Sequence, residues 1–225
     1  VEQAYNLIKT AESKVAQLHN MESGEIRMGA SDTICKYFLI SYLEKFINRY
    51  PNIKVHIISR TSSHIADILK NGLIDFGIVT LPVEAKNFII REFTSVEDIF
   101  VASDKFSFLK YRKMPLRELS KLPLLMLHRN SATRRNFDMY LHQKGVSIKP
   151  EIELENIDLL VELARIGLGV AHVLKESAQA FIESGELFKV EIAEKMPERK
   201  LGIISLENVP LSRAAEEFIQ LLTSS

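Results

Sequence analysis

The sequence predicts an α/β protein made of two Rossmann-like lobes in series. Short apolar strands alternate with amphipathic helices from Glu22 onward, and the same order of elements occurs twice. The segment from Ile89 to Ser103 is apolar and lacks a helical pattern, which is typical of an extended connection between lobes. Strands joined by helices favour parallel sheets. Polar residues follow several strands, where such sheets bind their ligands.

The composition is that of a globular protein and argues against several other classes. The 225 residues are 46% hydrophobic and 26% charged, with 29 basic and 29 acidic side chains. A domain that grips the DNA backbone by itself is usually clearly basic, so strong binding of nucleic acid by these residues is not expected. The single cysteine fits a reducing compartment. No apolar run approaches the roughly 20 residues of a membrane span, so no membrane association is expected.

The first twenty residues predict one helix. Apolar residues from Val1 to Leu18 recur at alternating steps of three and four, the spacing of a coiled-coil seam. Such a helix either packs on its own domain or pairs with a second copy, and fewer than three heptads do not decide between the two. The start at Val1, without Met or a leader pattern, is typical of a fragment or a processed chain.

The alternation then defines the two lobes. The predicted strands of the first lobe are Ile26–Ala30, Ile53–Ile57 and Phe76–Val79. Those of the second lobe are Leu124–Leu127, Glu151–Leu154, Val170–Val173 and Leu187–Val190. A last strand at Leu201–Leu206 and a last helix at Leu211–Leu222 return to the first lobe, so two crossover strands join the lobes. The predicted divisions are a helix over 1–21, lobe I over 22–95 plus 201–225, and lobe II over 96–200.

Four strand-to-helix turns carry hydroxyls or amides. They are Ser31-Asp32-Thr33, Thr61-Ser62-Ser63, Asn130-Ser131-Ala132-Thr133 and Asn156. Helix N-termini at the carboxyl ends of parallel strands present free N–H groups and a partial positive charge. With two turns from each lobe facing a shared cleft, the pattern suits a small polar or anionic molecule. The alternative is that these residues only cap their helices.

A few other side chains are candidates for chemistry. Arg134 and Arg135 fall in the first turn of a predicted helix, where a cation opposes the helix dipole, so a bound anion or simple solvation would explain them. Arg60 is similar. His172 follows Gly167-Leu168-Gly169 in a strand, and a lone histidine is more often packed than a ligand contact. Cys35, one turn into a helix, is either a low-pKa thiol or, as we expect, a structural one.

Catalytic and cofactor signatures are missing from the sequence. There is no Walker loop, no G-x-S-x-G, no G-x-G-x-x-G after a strand, and no H-E-x-x-H. No His, Cys and Asp residues have the spacing of a metal site. We therefore predict no catalytic residues, no metal and no cofactor.

Several motifs together resemble the effector-binding domain of LysR-type transcriptional regulators. The matching stretches, in order, are Ser23–Ser31, Tyr37–Ile53, Gly72–Val79, Leu116–Leu127 and Val161–Val173. Residues before Ser23 resemble the end of the linker helix that joins this domain to the DNA-binding domain. Each motif is weak alone, but their order and spacing are specific and cover essentially the whole chain.

The resemblance implies a periplasmic-binding-protein-like fold of type 2, in a cytoplasmic homodimer or homotetramer. It further implies a small-molecule inducer, often a carboxylate, held between the lobes, with DNA bound only through a winged helix-turn-helix that this chain lacks. Carried over by position, the ligand contacts are Ser31, Asp32, Thr33, Ser62, Ser63, Asn130, Ser131, Thr133, Arg134 and His172. The second turn departs from the family pattern because it lacks the glycine often found there.

Two other functions remain as alternatives. A solute-binding protein of a transport system shares this fold and would carry an export leader upstream. An enzyme on the same scaffold would place a titratable pair beside the ligand. The turns carry mainly neutral groups and arginines, which favours binding over catalysis.

Overall fold

The computed structural model describes residues 24–83 and 87–224, and this part of the chain divides into two compact units. Unit 1 contains the described residues up to Thr94 together with those from Lys200 onward, and unit 2 contains Ser95–Arg199. The chain therefore passes between the units twice. The predicted helix over Val1–Leu18 and the predicted linker segment 1–21 lie outside the described residues.

Unit 1 is built on a five-stranded sheet in the order β2-β1-β3-β10-β4. Its strands are β1 (Gly24–Ala30), β2 (Ile53–Ser59), β3 (Phe76–Thr80), β4 (Phe88–Val96) and β10 (Arg199–Leu206). The last residues of β4 and the first residue of β10 belong to unit 2. Helix α1 is one run of three segments, Asp32–Ile34, the π-helical Cys35–Leu39 and Ile40–Arg49. Helices α2 (Ser62–Lys70) and α6 (Arg213–Thr223) complete the unit.

The sheet of unit 1 is mixed rather than wholly parallel. Strand β1 pairs in parallel with β2 and β3, as the strand–helix alternation predicts. Strand β10 is antiparallel to β3, because the chain returns from unit 2 in the opposite direction. Aromatic rings join helices and sheet in the core: Phe218 of α6 lies 5.1 Å from Phe46 of α1 and 6.0 Å from Phe76 of β3, centroid to centroid.

The Gly72–Val79 motif fixes β3 against its neighbours. The Asp75 carboxylate accepts a hydrogen bond from the Arg27 N–H at 2.9 Å, and the Asp75 N–H donates to the Arg27 carbonyl at 2.7 Å. A Cβ on Gly77 would lie 2.5 Å from a methyl group of Ile65 in α2, so only glycine lets this helix pack so closely on the sheet. The motif is thus explained by packing.

Unit 2 repeats the plan with the strand order β7-β6-β8-β5-β9. Its strands are β5 (Asp98–Ala102), β6 (Leu124–Leu127), β7 (Ile152–Leu154), β8 (Val170–Leu174) and β9 (Phe188–Val190). Its helices are α3 (Ala132–Gln143), α4 (Ile157–Arg165) and α5 (Lys175–Glu183), with 3₁₀ segments at Asp104–Leu109 and Leu116–Lys121. None of the helices in residues 24–83 and 87–224 is long and apolar enough to cross a membrane.

This sheet is also mixed, and the predicted connection contributes to it. Strand β6 is parallel to β7 and β8, whereas β5 is antiparallel to β8 and β9. The segment from Ile89 to Ser103, expected to be an extended connection between the lobes, forms most of β4 and all of the buried β5. The expectation did not include this sheet position, because an apolar segment that leaves one lobe can become an interior strand of the next. A Cβ on Gly169 would lie 2.3 Å from the Pro123 carbonyl oxygen, so the glycine permits the close approach before β8.

Candidate functional site

The turn after β1 presents polar groups at the start of helix α1. Ser31 is the N-cap, and its hydroxyl accepts a hydrogen bond from the Ile34 N–H at 3.3 Å. The exposed Asp32 carboxylate accepts a hydrogen bond from the Ser59 hydroxyl. The half-buried Thr33 hydroxyl has no partner among the residues that the structure describes. The first helical N–H groups are also free of helical partners. This turn therefore leaves donors available to a ligand.

The turn after β6 has the same arrangement in unit 2. The Ser131 hydroxyl accepts a hydrogen bond from the Arg134 N–H at 3.1 Å and caps α3. Thr133 is half-buried, and its hydroxyl also has no partner in the described part of the chain. Asn130 is exposed; its N–H donates to His128 Nδ1 at 3.3 Å, and its carbonyl accepts from Arg135 at 2.6 Å.

The two turns are related by a short pattern that the sequence analysis missed. Both turns have the sequence Ser-x-Thr: Ser31-Asp32-Thr33 comes directly after β1, and Ser131-Ala132-Thr133 comes shortly after β6. Both β1 and β6 lie between two parallel strands. In both, the serine caps the helix, while the threonine hydroxyl has no partner within residues 24–83 and 87–224. The pattern could have been found by comparing the turns of the two lobes with each other.

The turn after β2 is organised differently. Thr61 occupies the N-cap position of α2 without making a capping hydrogen bond, and its hydroxyl lies 2.9 Å from His64 Nδ1 and 3.2 Å from the Ser63 hydroxyl. Ser62 is buried, and its hydroxyl accepts a hydrogen bond from the Thr80 N–H at 3.1 Å. Ser62 therefore supports the end of β3, and Ser63 is the exposed hydroxyl of this turn.

Asn156 caps helix α4, which is the role that the sequence analysis gave as the alternative to ligand binding. Its side-chain oxygen accepts a hydrogen bond from the Leu159 N–H at 3.0 Å. Because this oxygen is used for the cap, the turn after β7 offers less free hydrogen-bonding capacity than the turn after β6.

Arg134 is buried, unlike its neighbour Arg135. The Arg134 side chain is 2% exposed; Nε donates to the Asp138 carboxylate at 2.8 Å and Nη1 donates to the Leu127 carbonyl at 3.0 Å. A second carboxylate, Glu153, lies 3.6 Å from Nη1. These contacts tie the first turns of α3 to the end of β6 and to β7. The alternative of two solvated arginines is wrong for Arg134, although Arg135 is exposed.

His172 lies inside unit 2. Its ring is 4.2 Å from the ring of Phe137 and 4.8 Å from that of Phe100, and the residue is 2% exposed. Nε2 has no hydrogen-bond partner within the described residues. Burial lowers the pKa of His172 from 6.5 to about 4, so the imidazole is neutral at pH 7. The side chain packs in the core and is not presented at the surface of the unit.

Cys35 belongs to the π-helical segment of α1. Burial, with a smaller contribution from the nearby Asp32 charge, raises the pKa of the Cys35 thiol to about 11. The thiol is therefore protonated at neutral pH, which agrees with a structural role and not with a reactive one. Within residues 24–83 and 87–224, no three His, Cys, Asp or Glu side chains converge as a metal ion would require.

Comparison with known proteins gives consistent matches. The family described as LysR substrate binding domain matches residues 19–225. The "Probable RuBisCO transcriptional regulator" of Cyanidioschyzon merolae is 29% identical over 209 residues, covering 90% of this chain and 69% of the relative. The protein of the same name from Cyanidium caldarium is 26% identical over 207 residues, covering 89% and 65%. The chain thus spans about two thirds of the length of these relatives.

Solved structures show the same fold. The CcmR regulatory domain of Synechocystis PCC6803, in complex with 2-PG, has a TM-score of 0.81 at 22% identity and covers 90% of this chain and 97% of its own. The effector-binding domain of QuiR, in complex with shikimate, has a TM-score of 0.78 at 19% identity and covers 90% and 96%. The expected α/β fold of the type 2 periplasmic-binding-protein class is confirmed.

The named relatives are transcriptional regulators, so the comparisons do not support the alternative of a transport protein. The family match covers both units and nearly the whole chain. The chain belongs to the LysR substrate-binding domain family, the effector-binding domains of LysR-type transcriptional regulators.

Proposed function

We propose that this chain is the sensing part of a cytoplasmic, DNA-binding transcription regulator and that it binds a small organic anion without transforming it. DNA is then bound by an N-terminal winged helix-turn-helix outside this chain, and no cofactor is involved. The observation that carries the proposal is the pair of Ser-x-Thr turns, each with a threonine hydroxyl at the start of a helix that has no partner among the described residues.

The chemistry of these turns suits an anion. The free N–H groups at the starts of α1 and α3 carry partial positive charge, and the hydroxyls of Thr33 and Thr133 add donors beside them. The buried Arg134 guanidinium, one residue after Thr133, is paired with Asp138 and Glu153, so it supports this turn without adding free positive charge. The Asp32 carboxylate would accept a hydrogen bond from a hydroxyl group on the same ligand. A hydroxylated carboxylate or phosphate combines these features.

The matched domains support this class of ligand. The CcmR regulatory domain holds 2-PG and the QuiR domain holds shikimate. We propose direct contacts from Ser31, Asp32, Thr33, Ser63, Asn130 and Thr133, whose polar groups are half-buried or exposed. Ser62, Ser131 and Arg134 would act by holding these turns in place. His172 would act only through the core of unit 2, because it is buried behind Phe100 and Phe137.

The same turns favour binding over catalysis. General acid–base catalysis needs titratable groups within hydrogen-bonding reach of the reacting atoms. The proposed contacts are neutral hydroxyls, amides and backbone N–H groups, with Asp32 as their one carboxylate. We therefore infer that the ligand leaves unchanged and acts by its different affinity for two conformations.

We also propose that the regulator is a homodimer or homotetramer. Unit 1 exposes Ile40 (58%) and Ile47 (47%) seven residues apart on one face of α1. Unit 2 exposes Ile166 (51%) and Leu168 (47%) just after α4. Exposed apolar side chains that lie close together are candidates for contact with a second copy of the chain. Ile47→Asp should lower the dimer fraction in sedimentation velocity, and an unchanged distribution would remove Ile47 from the interface.

Calorimetry tests the ligand contacts. A panel of hydroxylated carboxylates and phosphates is titrated into the purified chain, and the tightest ligand is then titrated into Thr33→Val and Thr133→Val. Each substitution removes a hydroxyl at nearly constant volume, so we expect about tenfold weaker binding from each. Thr223→Val, at the end of α6, is the matched control and should bind normally. Full affinity in both turn variants would reject the proposed site.

A further inference from the structure

A cavity lies within unit 2, away from the Ser-x-Thr turn of that unit. Its volume is about 280 Å³, and it is lined by the start of β5, the end of β9 and the segment 191–198 that follows β9. None of its lining residues belongs to the proposed effector site. A space of this size holds a small organic molecule.

The floor of this cavity is apolar. It is lined by Phe100 and Val190 from the two strands and by Ile192 and Met196 from the following segment. Phe100 and Val190 are core residues of unit 2, and Ile192 and Met196 pack against the same core. An apolar body in the cavity would therefore contact side chains that the fold already holds in place.

Two of the carboxylates in the lining are neutralised by the protein itself. The Asp98 carboxylate is bound at both oxygens by the Arg199 guanidinium, at 2.5 Å and 2.7 Å. The Glu97 carboxylate lies 3.0 Å from Lys189 Nζ and 3.2 Å from Lys175 Nζ, and these cations lower the pKa of Glu97. Neither group is left to attract a ligand.

The remaining charges of the lining are mainly negative. Glu191 and Glu198 are exposed and have no ion-pair or hydrogen-bond partner for their carboxylates among the residues described. Glu194 accepts one hydrogen bond, from the Leu116 N–H at 2.8 Å, which leaves its charge uncompensated by a cation. Lys195 is the single opposing cation without a partner. Together with the ion-pair partners Lys175 and Arg199, the lining carries five carboxylates and four cations, so the cavity has an excess of one negative charge, and the carboxylates without a cation partner are Glu191, Glu194 and Glu198.

We propose that this cavity binds a small amphipathic cation, in which a protonated amine or guanidinium is carried on a short apolar body. The apolar part occupies the floor formed by Phe100, Ile192 and Met196, and the cationic head meets Glu191, Glu194 and Glu198 at the rim. Since the effector proposed above is an anion, the two sites have opposite charge preferences. The proposal does not depend on the identity of that effector.

Four related compounds test the proposal by NMR titration of the ¹⁵N-labelled chain. Phenethylammonium carries both features, 2-phenylethanol lacks the charge, 3-phenylpropionate reverses it, and methylammonium lacks the apolar body. We expect phenethylammonium to shift the amide signals of residues 191–198, and the other three compounds to bind about tenfold more weakly or not at all. Equal binding of 3-phenylpropionate at these signals, or no binding of phenethylammonium, would overturn the proposal.

A double variant tests the rim. Glu191→Gln with Glu198→Gln changes two exposed side chains and should weaken phenethylammonium binding about tenfold. The control is Glu151→Gln, the same chemical change at an exposed position of unit 2 outside the cavity. Thr133→Val, which tests the effector site, should leave phenethylammonium binding unchanged. An unaltered affinity in the double variant would refute the role of these carboxylates.

Discussion

The two units share a plan but differ in what they bury. Among the described residues of unit 1, the buried polar side chains all carry hydroxyl groups: Ser62, Thr80, Ser205 and Ser212. Unit 2 buries two serines and also four ionisable side chains: Asp98, Arg134, His172 and Arg199. Both sheets have five strands in a similar mixed order. The difference therefore lies in the interior chemistry and not in the topology.

This contrast indicates which of the two units depends on charged side chains for its stability. A buried hydroxyl can satisfy one backbone group, as Ser62 does for Thr80, at a small cost in desolvation. A buried ion needs a partner at a fixed position, and removing that partner leaves an uncompensated charge. We expect substitutions of charged residues and changes of pH to act mainly through unit 2.

The largest effect is expected for Arg199→Met. The Asp98–Arg199 pair joins the first residue of β5 to the first residue of β10, and both side chains are buried. Removing the guanidinium leaves Asp98 unpaired, so the free energy of unfolding should fall by about 3–5 kcal/mol. Urea denaturation followed by circular dichroism measures this. Lys200→Met is the control, because its exposed ion pair with Glu92 should contribute at most about 1 kcal/mol. Similar losses in both variants would contradict the contrast between buried and exposed charge.

The next effect concerns pH and His172. Because burial lowers its pKa from 6.5 to about 4, the folded protein holds fewer protons than the unfolded chain between these values. The contribution of His172 to stability is therefore complete above pH 6.5 and is lost as the pH falls towards 4. This loss amounts to about 3 kcal/mol.

Replacing His172 with Phe isolates that contribution. The ring would keep its stacking on Phe137, and the part of the acid sensitivity that comes from the imidazole would disappear. Urea denaturation of both proteins at pH 7, 5.5 and 4 measures the difference. Parallel pH profiles would show that the imidazole does not stay neutral in the folded state.

A smaller effect is expected for Arg134→Met. The substitution removes the donors to Asp138 and to the Leu127 carbonyl, so the free energy of unfolding should fall by about 2 kcal/mol. The adjacent Arg135→Met is the matched control at an exposed position and should change it by about 0.5 kcal/mol or less. Thermal and urea denaturation compare the two. Equal losses of stability in the two variants would show that the buried contacts of Arg134 contribute no more than an exposed arginine does.

The smallest effect on stability is expected for the helix caps in the turns before α2 in unit 1 and α4 in unit 2. Asn156→Ala removes the hydrogen bond that caps α4, which should cost about 1 kcal/mol of stability. Thr61→Ala, at the same position before α2, removes no capping bond and should cost clearly less. Urea denaturation resolves this difference if the two variants are measured together. A larger loss from Thr61→Ala would mean that its contacts with Ser63 and His64 matter more than the cap.

Much of the fold could be predicted from the sequence because it depends on local periodicity. The predicted bounds of strands such as Leu124–Leu127 and helices such as Ile157–Arg165 agree with the structure to within about one residue. These bounds depend on apolar spacing and helix caps, which involve only residues close together in the sequence. The caps at Ser31, Ser131 and Asn156 follow from the same local rule. The position of β5 between β8 and β9 was not predicted, because strand order depends on contacts between distant segments.

The polar turns were predictable from the sequence, whereas the partners and burial of their side chains were not. Alternation, capping and motif order determined the α/β class, the family and the polar turns. Only the tertiary structure decided that Ser62 supports β3, that Arg134 is buried against Leu127, and that His172 stacks on Phe137. The physical reason is that the position of a residue within a helix or strand determines which face of that element its side chain occupies. Its burial and its partners are set by segments that approach it only when the chain has folded.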